Sequence, residues 1–306
     1  DPEQRPSRWV INFWDWPEDR ARTYELPWKW IEERVKPERQ RLNDANSSGR
    51  RRKQYWWQYG RDAKNLYHAI GRGHHFERHP NTWKQCNIMR RVLVCARVTK
   101  YLSPLLIRND FIFSEQVVVF AYDRYSELSL LCSSIFGVWV NNQSSTLGQG
   151  MRFTPSDCFE TFPFPANQIN SELQHIGEQY HTVRNMIMQD KRVGLTGLYN
   201  RFHSAEENNS CIIELRKLHC DMDLAVALAY GWDDLDLEHG FHEVPYLPEN
   251  DRVRFTISEA ARVEVLRRLA ELNRQRYKEE VARGLHGGAA DERRTTRGRR
   301  RKGQKR

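Results

Sequence analysis

The segment Phe162-Pro163-Phe164-Pro165 divides this 306-residue chain into two halves whose apolar residues recur at different periods. Its two prolines lack amide donors and fix φ, which excludes a central strand or a helix interior there. Before them, Arg91–Val98 and Val117–Tyr122 are apolar and β-branched over strand length, and Phe111–Phe113 is a shorter run of the same kind. Arg8–Trp14 alternates and predicts a strand ended by Pro17. Two helices are predicted among these strands. One covers 28–42 with Trp28, Ile31 and Val35 on one face, interrupted at Pro37; the other covers 126–142 with Ser126 as N-cap. The polar stretches 43–53 and 143–157 are predicted as loops. After the prolines the spacing is helical over 171–190, 205–230 and 258–284. Thr256-Ile257-Ser258-Glu259 has the form of a capping box, and Val265, Leu266, Leu269 and Leu272 are the expected buried face.

These patterns predict an α+β chain. A mixed small-sheet domain spans 1–168, a mostly helical domain spans 169–286, and a disordered basic tail spans 287–306. Hydrophobic residues at 39% and aromatics at 11% suffice for a core. No run of 18 apolar residues exists, so no membrane-spanning helix and no membrane partner is expected. The chain starts at Asp1 without a signal-like segment, which fits a cytoplasmic piece of a longer protein or an incomplete gene product.

Net charge is +9, but segment 291–306 holds nine Lys/Arg against two acids, which leaves +2 on the rest. Basic surface on the folded part must therefore be local. One cluster is evident over 34–53, where Arg34, Lys36, Arg39, Arg41, Arg50, Arg51, Arg52 and Lys53 face Glu38 and Asp44. Trp56, Trp57 and Tyr59 follow directly. Cations that neutralise phosphates beside rings that can stack or wedge suit a nucleic acid.

Signatures of chemistry are absent. The chain has no GxGxxG, Walker loop, GxSxG or HExxH, and no Asn/Asp-Pro-Pro-aromatic loop of the kind that holds a target amine. His74, His75, His79 and Cys86 match no common zinc spacing, so no metal site is expected. The six cysteines (86, 95, 132, 158, 211, 220) form no CxxC pair and read as buried reduced thiols.

Several strings nevertheless resemble, in order, the C-terminal half of MmeI-like adenine-specific DNA methyltransferases, a group of fused restriction–modification enzymes and related phage-defence methylases. They include Arg8-Trp9-Val10-Ile11-Asn12-Phe13, Trp56–Arg61, Thr99–Pro104, Ser114–Phe120 and Arg152–Pro165. The helical half adds Gly194–Thr196, Tyr199–His203, Leu215–His219 and Ala229–Trp232. The resemblance implies a target-recognition domain followed by a helical domain that helps clamp the duplex. Its partner is double-stranded DNA. A catalytic domain, in cis or in trans, would bind S-adenosylmethionine and methylate the N6 amine of a flipped adenine. No cofactor site and no catalytic residue is expected in this chain. A stand-alone specificity subunit and an inactive gene remnant are the alternatives. On this reading Arg50, Arg51, Arg52 and Lys53 contact phosphates, with Trp56 and Trp57 beside them. Base readers are sought among Lys100, Arg108, Asn109, Ser144, Ser145, Gln149 and Arg152, because Arg and Lys suit guanine and Asn or Gln suit adenine.

Overall fold

A computed structural model describes residues 1–14, 16–60, 63–72, 89–147, 150–167 and 169–285. Gln149, the cluster His74, His75, His79 and Cys86, and the tail 287–306 lie outside the described residues. In chain order the elements are helices α1 (Glu18–Arg22), α2 (Glu25–Arg34), α3 (Lys36–Gln40), α4 (Ser47–Gln54) and α5 (Lys64–Ala69). Strands β1 (Arg91–Ala96), β2 (Val98–Thr99), β3 (Leu105–Arg108) and β4 (Val117–Phe120) follow, then helices α6 (Tyr125–Cys132) and α7 (Ser134–Gln143). Strands β5 (Ser145–Leu147) and β6 (Gly150–Arg152) precede helices α8 (Pro155–Cys158), α9 (Ser171–Asp190), α10 (Leu195–Phe202) and α11 (Ser210–Ala229). Strands β7 (Gly240–Glu243) and β8 (Val253–Thr256) lead into helix α12 (Glu259–Ala282). The fold is α+β with small antiparallel sheets.

The chain packs as two units, one of residues 1–96 and 104–124, the other of 97–103 and 125 onward. The first unit holds an antiparallel sheet in the order β3-β1-β4 and an aromatic cluster. Phe13, Ala21, Trp28, Ile31 and Trp56 are buried together, with Ile11, Trp16, Val35 and Trp57 against them. The predicted strand at Arg8–Trp14 is not formed. Asn12 Oδ1 accepts the Trp14 amide at 2.9 Å and Trp14 takes φ +51°, a turn that ends extended geometry. The predicted 28–42 helix breaks at Val35, and Pro37 starts α3 in the first turn, where its missing amide costs no bond. The predicted loop 43–53 is largely helix α4, begun by Asn46, whose side chain accepts the Gly49 amide at 2.6 Å. Phe111–Phe113 forms no strand because its backbone bonds side chains instead. Arg72 donates to the Phe111 carbonyl at 2.7 Å, and the Phe113 amide donates to Tyr67 Oη at 3.1 Å. The strand of that region is β3, paired with β1 from Arg91↔Arg108 to Val94↔Leu105.

In the second unit, α6, α9 and α11 pack around Leu128, Leu131, Leu173, Tyr180, Ile187, Leu215 and Met222, all buried. The predicted 126–142 helix is two helices. Ser133 ends the first and caps the second, accepting the Phe136 amide at 3.2 Å. The predicted loop 143–157 contains the hairpin β5–β6 and helix α8. Ser258, not Thr256, caps α12 by accepting the Ala261 amide at 3.1 Å. Val265 and Leu269 are fully buried, whereas Leu266 and Leu272 are half-buried. Cys95, Cys132 and Cys158 are buried thiols outside any disulfide, as expected; Cys211 and Cys220 are also outside any disulfide and half-buried.

Candidate nucleic-acid interface

In the first unit, the basic run occupies α4. Asn46 and buried Gly49 fix its start, and Arg51, Arg52 and Lys53 fall in the last turn, where cations meet the negative end of the helix dipole. Arg50, Arg51 and Arg52 are exposed. Arg50 donates to the Asp44 carbonyl at 2.7 Å, Arg51 lies 5.4 Å from the Tyr55 ring centroid, and Lys53 pairs with Asp44 at 3.0 Å. The exposed guanidinium of Arg52 forms no hydrogen bond or ion pair among the described residues. Trp56 and Trp57 serve packing here. Trp56 is 5% exposed, its ring 4.9 Å from that of Trp28, and Trp57 donates Nε1–H to the Trp16 carbonyl at 2.8 Å. Arg39 ties the same region together by donating to the carbonyls of Trp56 and Gln58, and burial holds its guanidinium below the usual arginine range.

In the second unit, β2, β6 and β5 form a three-stranded antiparallel sheet. Arg152, on the central strand, is in register with Ser145 on one side and Val98 on the other. Residues directly opposite one another in such a ladder share a face. Ser145, Arg152 and Val98 therefore make one face, and all three are exposed. The Arg152 side chain makes no hydrogen bond or ion pair among the described residues. Ser144 is the half-buried C-cap of α7, and exposed Asn142 and Gln143 precede it. Asn142, Gln143 and Val98 were not among the sequence candidates. The run Asn-Asn-Gln-Ser-Ser behind an apolar helix was the available signal for the first two.

The other candidates are occupied inside the protein. Asn109 is buried and donates to the carbonyls of Ile70 at 2.9 Å and Met89 at 3.0 Å. Lys100 donates to Asn200 Oδ1 at 3.2 Å and pairs with Asp251 at 3.0 Å. Arg108 is exposed and ion-paired to Asp110.

A buried polar group behind α7 has the composition of a hydrolase triad but not its geometry. His219 Nε2 lies 3.1 Å from Ser134 Oγ and 3.6 Å from the Asp223 carboxylate. Serine and carboxylate thus share one ring nitrogen, whereas a triad needs the carboxylate on the other to orient the base. His219 Nδ1 has no hydrogen-bond partner among the described residues. Burial lowers the His219 pKa from its ordinary value. Asp223 instead accepts the Ser134 amide at 2.7 Å and His239 Nε2 at 2.9 Å, which fastens the start of α7 to α11. Among the described residues no group of three or more His, Cys, Asp or Glu could hold a metal ion. No described helix is long and apolar enough to cross a membrane.

Residues 29–166, which contain both α4 and the hairpin β5–β6, match the family described as MmeI, target recognition domain. The chain is also similar to the solved structure of the Type IIL restriction-modification enzyme MmeI in complex with DNA. That likeness has a TM-score of 0.51 and 16% identity, over 85% of this chain and 28% of that one. At this identity the fold is what is shared, and the present chain spans about a quarter of that enzyme's length. No curated protein sequence matches. The family match covers the sequence blocks from Trp56 to Pro165, and the structural likeness is one of fold.

Proposed function

We propose that this chain is the DNA-sequence-recognition part of a restriction–modification enzyme, with base reading on the Ser145–Arg152–Val98 face and phosphate contact on α4. The carrying observation is that the matched segment 29–166 includes, on a small sheet, an exposed arginine whose side chain has no partner among the described residues. A two-stranded ribbon fits the DNA major groove, and a guanidinium there pairs with guanine O6 and N7. Ser145 can bond either a donor or an acceptor, Asn142 and Gln143 suit adenine, and Val98 suits a thymine methyl. Cations on α4 meet phosphates and set position without reading sequence. Trp56, Lys100 and Asn109 stand outside this contact set, because their polar or apolar groups are already engaged within the fold.

The proposal extends to adenine N6 methylation by a catalytic domain that uses S-adenosylmethionine and is not encoded in these residues. The chain's own part is to place the duplex so that one adenine can leave the stack. The test is selection of preferred duplexes from a randomised library by the full chain, followed by affinity measurements on preferred and scrambled duplexes. A recovered motif supports the reading; equal affinity for all sequences overturns it. Calorimetry with S-adenosylmethionine is expected to give no specific heat for this chain, since it contains no glycine-rich donor loop.

A further inference from the structure

The central strand β6 carries Arg152 but is short, and its neighbour β2 pairs with it at only Val98↔Arg152 and Thr99↔Met151. A two-residue ladder holds its own position poorly, since each strand residue fixed costs about 1–2 kcal/mol of backbone entropy. The chain is fastened immediately after β2. Tyr101 Oη donates to Asn200 Oδ1 at 2.8 Å, and Lys100 Nζ donates to the same oxygen at 3.2 Å. Lys100 also pairs with Asp251 at 3.0 Å, and Asp251 is itself held by Arg254 at 2.7 Å. The Tyr101 ring stacks on His203 with centroids 5.0 Å apart, and the Arg254 guanidinium lies 5.1 Å from the Tyr101 ring centroid. Asn200 and His203 belong to α10 and its C-cap, and Arg254 to β8. A single amide oxygen on α10 therefore receives two donors from the residues that end β2.

We infer that Asn200 is a positioning residue for base reading, acting through Lys100 and Tyr101 to hold the Ser145–Arg152–Val98 face in register. Asn200 lies remote from that face in sequence and contacts it through these two residues alone among its recorded bonds. The same geometry turns Lys100 from a DNA contact into a structural cation, its charge met by Asp251. Reading groups must be held within about 0.5 Å of productive geometry, so loosening the anchor degrades discrimination before it degrades folding. The inference rests on the proposed reading face.

The experiment uses the full chain, the duplex recovered from a randomised library, and a scrambled duplex. Asn200 is exposed, so its replacement leaves the core intact. Asn200→Ala and Lys100→Met are each expected to lower the preferred-to-scrambled affinity ratio by about two- to thirty-fold. The salt dependence and melting temperature should stay unchanged. The double variant should lose less than the sum of the two single losses, because both act through one joint. Asn200→Asp keeps the acceptor oxygen and should keep the ratio while weakening both duplexes alike. A Lys100→Met variant that weakens both duplexes equally and flattens the log–log salt slope by about 0.9, beside an unaltered Asn200→Ala ratio, shows a phosphate contact and overturns the inference. If the wild-type chain selects a motif and Asn200→Ala selects it equally well, the inference falls while the recognition reading stands. If the wild type selects none, both fall.

Discussion

Asp223 is a carboxylate without solvent contact, and its setting explains how a charge is kept in the core. Burial alone would push its pKa up, but the charges of His219 and His239 and hydrogen bonds from His239 and the Ser134 amide hold it below the usual carboxylate range. Burial likewise opposes the His239 cation. Hydrogen bonds to Asp223 and Cys220 and the Asp223 charge outweigh it and raise the His239 pKa to about 10. The raised histidine contributes stability that is full below its unfolded value of about 6.5 and is lost as pH rises through about 10. The depressed carboxylate contributes stability above its ordinary range and loses it in acid. Melting temperature is therefore expected to fall between about pH 6.5 and 10, and His239→Gln should flatten that slope while lowering stability at pH 6. Thermal denaturation across this window checks it; an unchanged slope in the variant removes His239 from the account. At the proposed reading face, Arg152→Ala should cost the preferred duplex roughly 1–3 kcal/mol and the scrambled duplex little. Equal loss on both duplexes makes Arg152 a backbone contact.

Elements with a strong period were legible from sequence. β1, β4, α9, α11 and the core of α12 all lie where apolar spacing places them, since burial of one face needs that spacing. Helix α4 was not, because Ser47–Gln54 holds no apolar side chain to show a period. Its evidence lies in the Asn46 cap and in Gly49, whose added Cβ would sit 2.0 Å from the Asn43 carbonyl oxygen. The β7–β8 hairpin was hidden inside a helical half by strands of four residues each. At the candidate interface, the family-like block marked Arg152, but the partners that occupy Lys100 and Asn109 come from Asn200, Asp251, Ile70 and Met89. Such long-range partners leave no local trace in a sequence. Packing between elements yields its own prediction at Gly177, where α9 meets α6. A Cβ there would stand 2.2 Å from the Tyr125 carbonyl oxygen and 2.5 Å from Ser129 Oγ. Gly177→Ala must push the helices apart and should cost about 1–3 kcal/mol despite the better helix propensity of alanine. Gly137→Ala, in α7 with nothing within 4 Å of the new Cβ, should instead stabilise by up to about 1 kcal/mol. Denaturant midpoints that move in the same direction for both would refute the close-approach argument.

Charge is distributed unevenly over the whole chain. Segment 291–306 carries nine basic and two acidic residues of a total net charge of +9, so the first 290 residues hold only +2. Long-range attraction to a polyanion is thus concentrated at the C-terminal segment, while α4 supplies a smaller, structured share. The two sources should separate by salt and by sequence preference. Removing 287–306 takes away no apolar side chain beyond Ala289 and Ala290, so the melting temperature should hold. Affinity for preferred and scrambled duplexes should fall together, with the salt slope flattened by about 0.9 for each lost phosphate contact. Replacing Arg50, Arg51, Arg52 and Lys53 by Gln should do the same to a lesser degree, because fewer cations are lost. Neither change should alter the ratio between duplexes, since phosphates carry no base identity. Titrations of both variants on both duplexes at several salt concentrations decide the matter. A ratio that collapses on truncation would mean that the C-terminal segment contacts bases, and the assignment of reading to the β5–β6 face would then have to be shared with it.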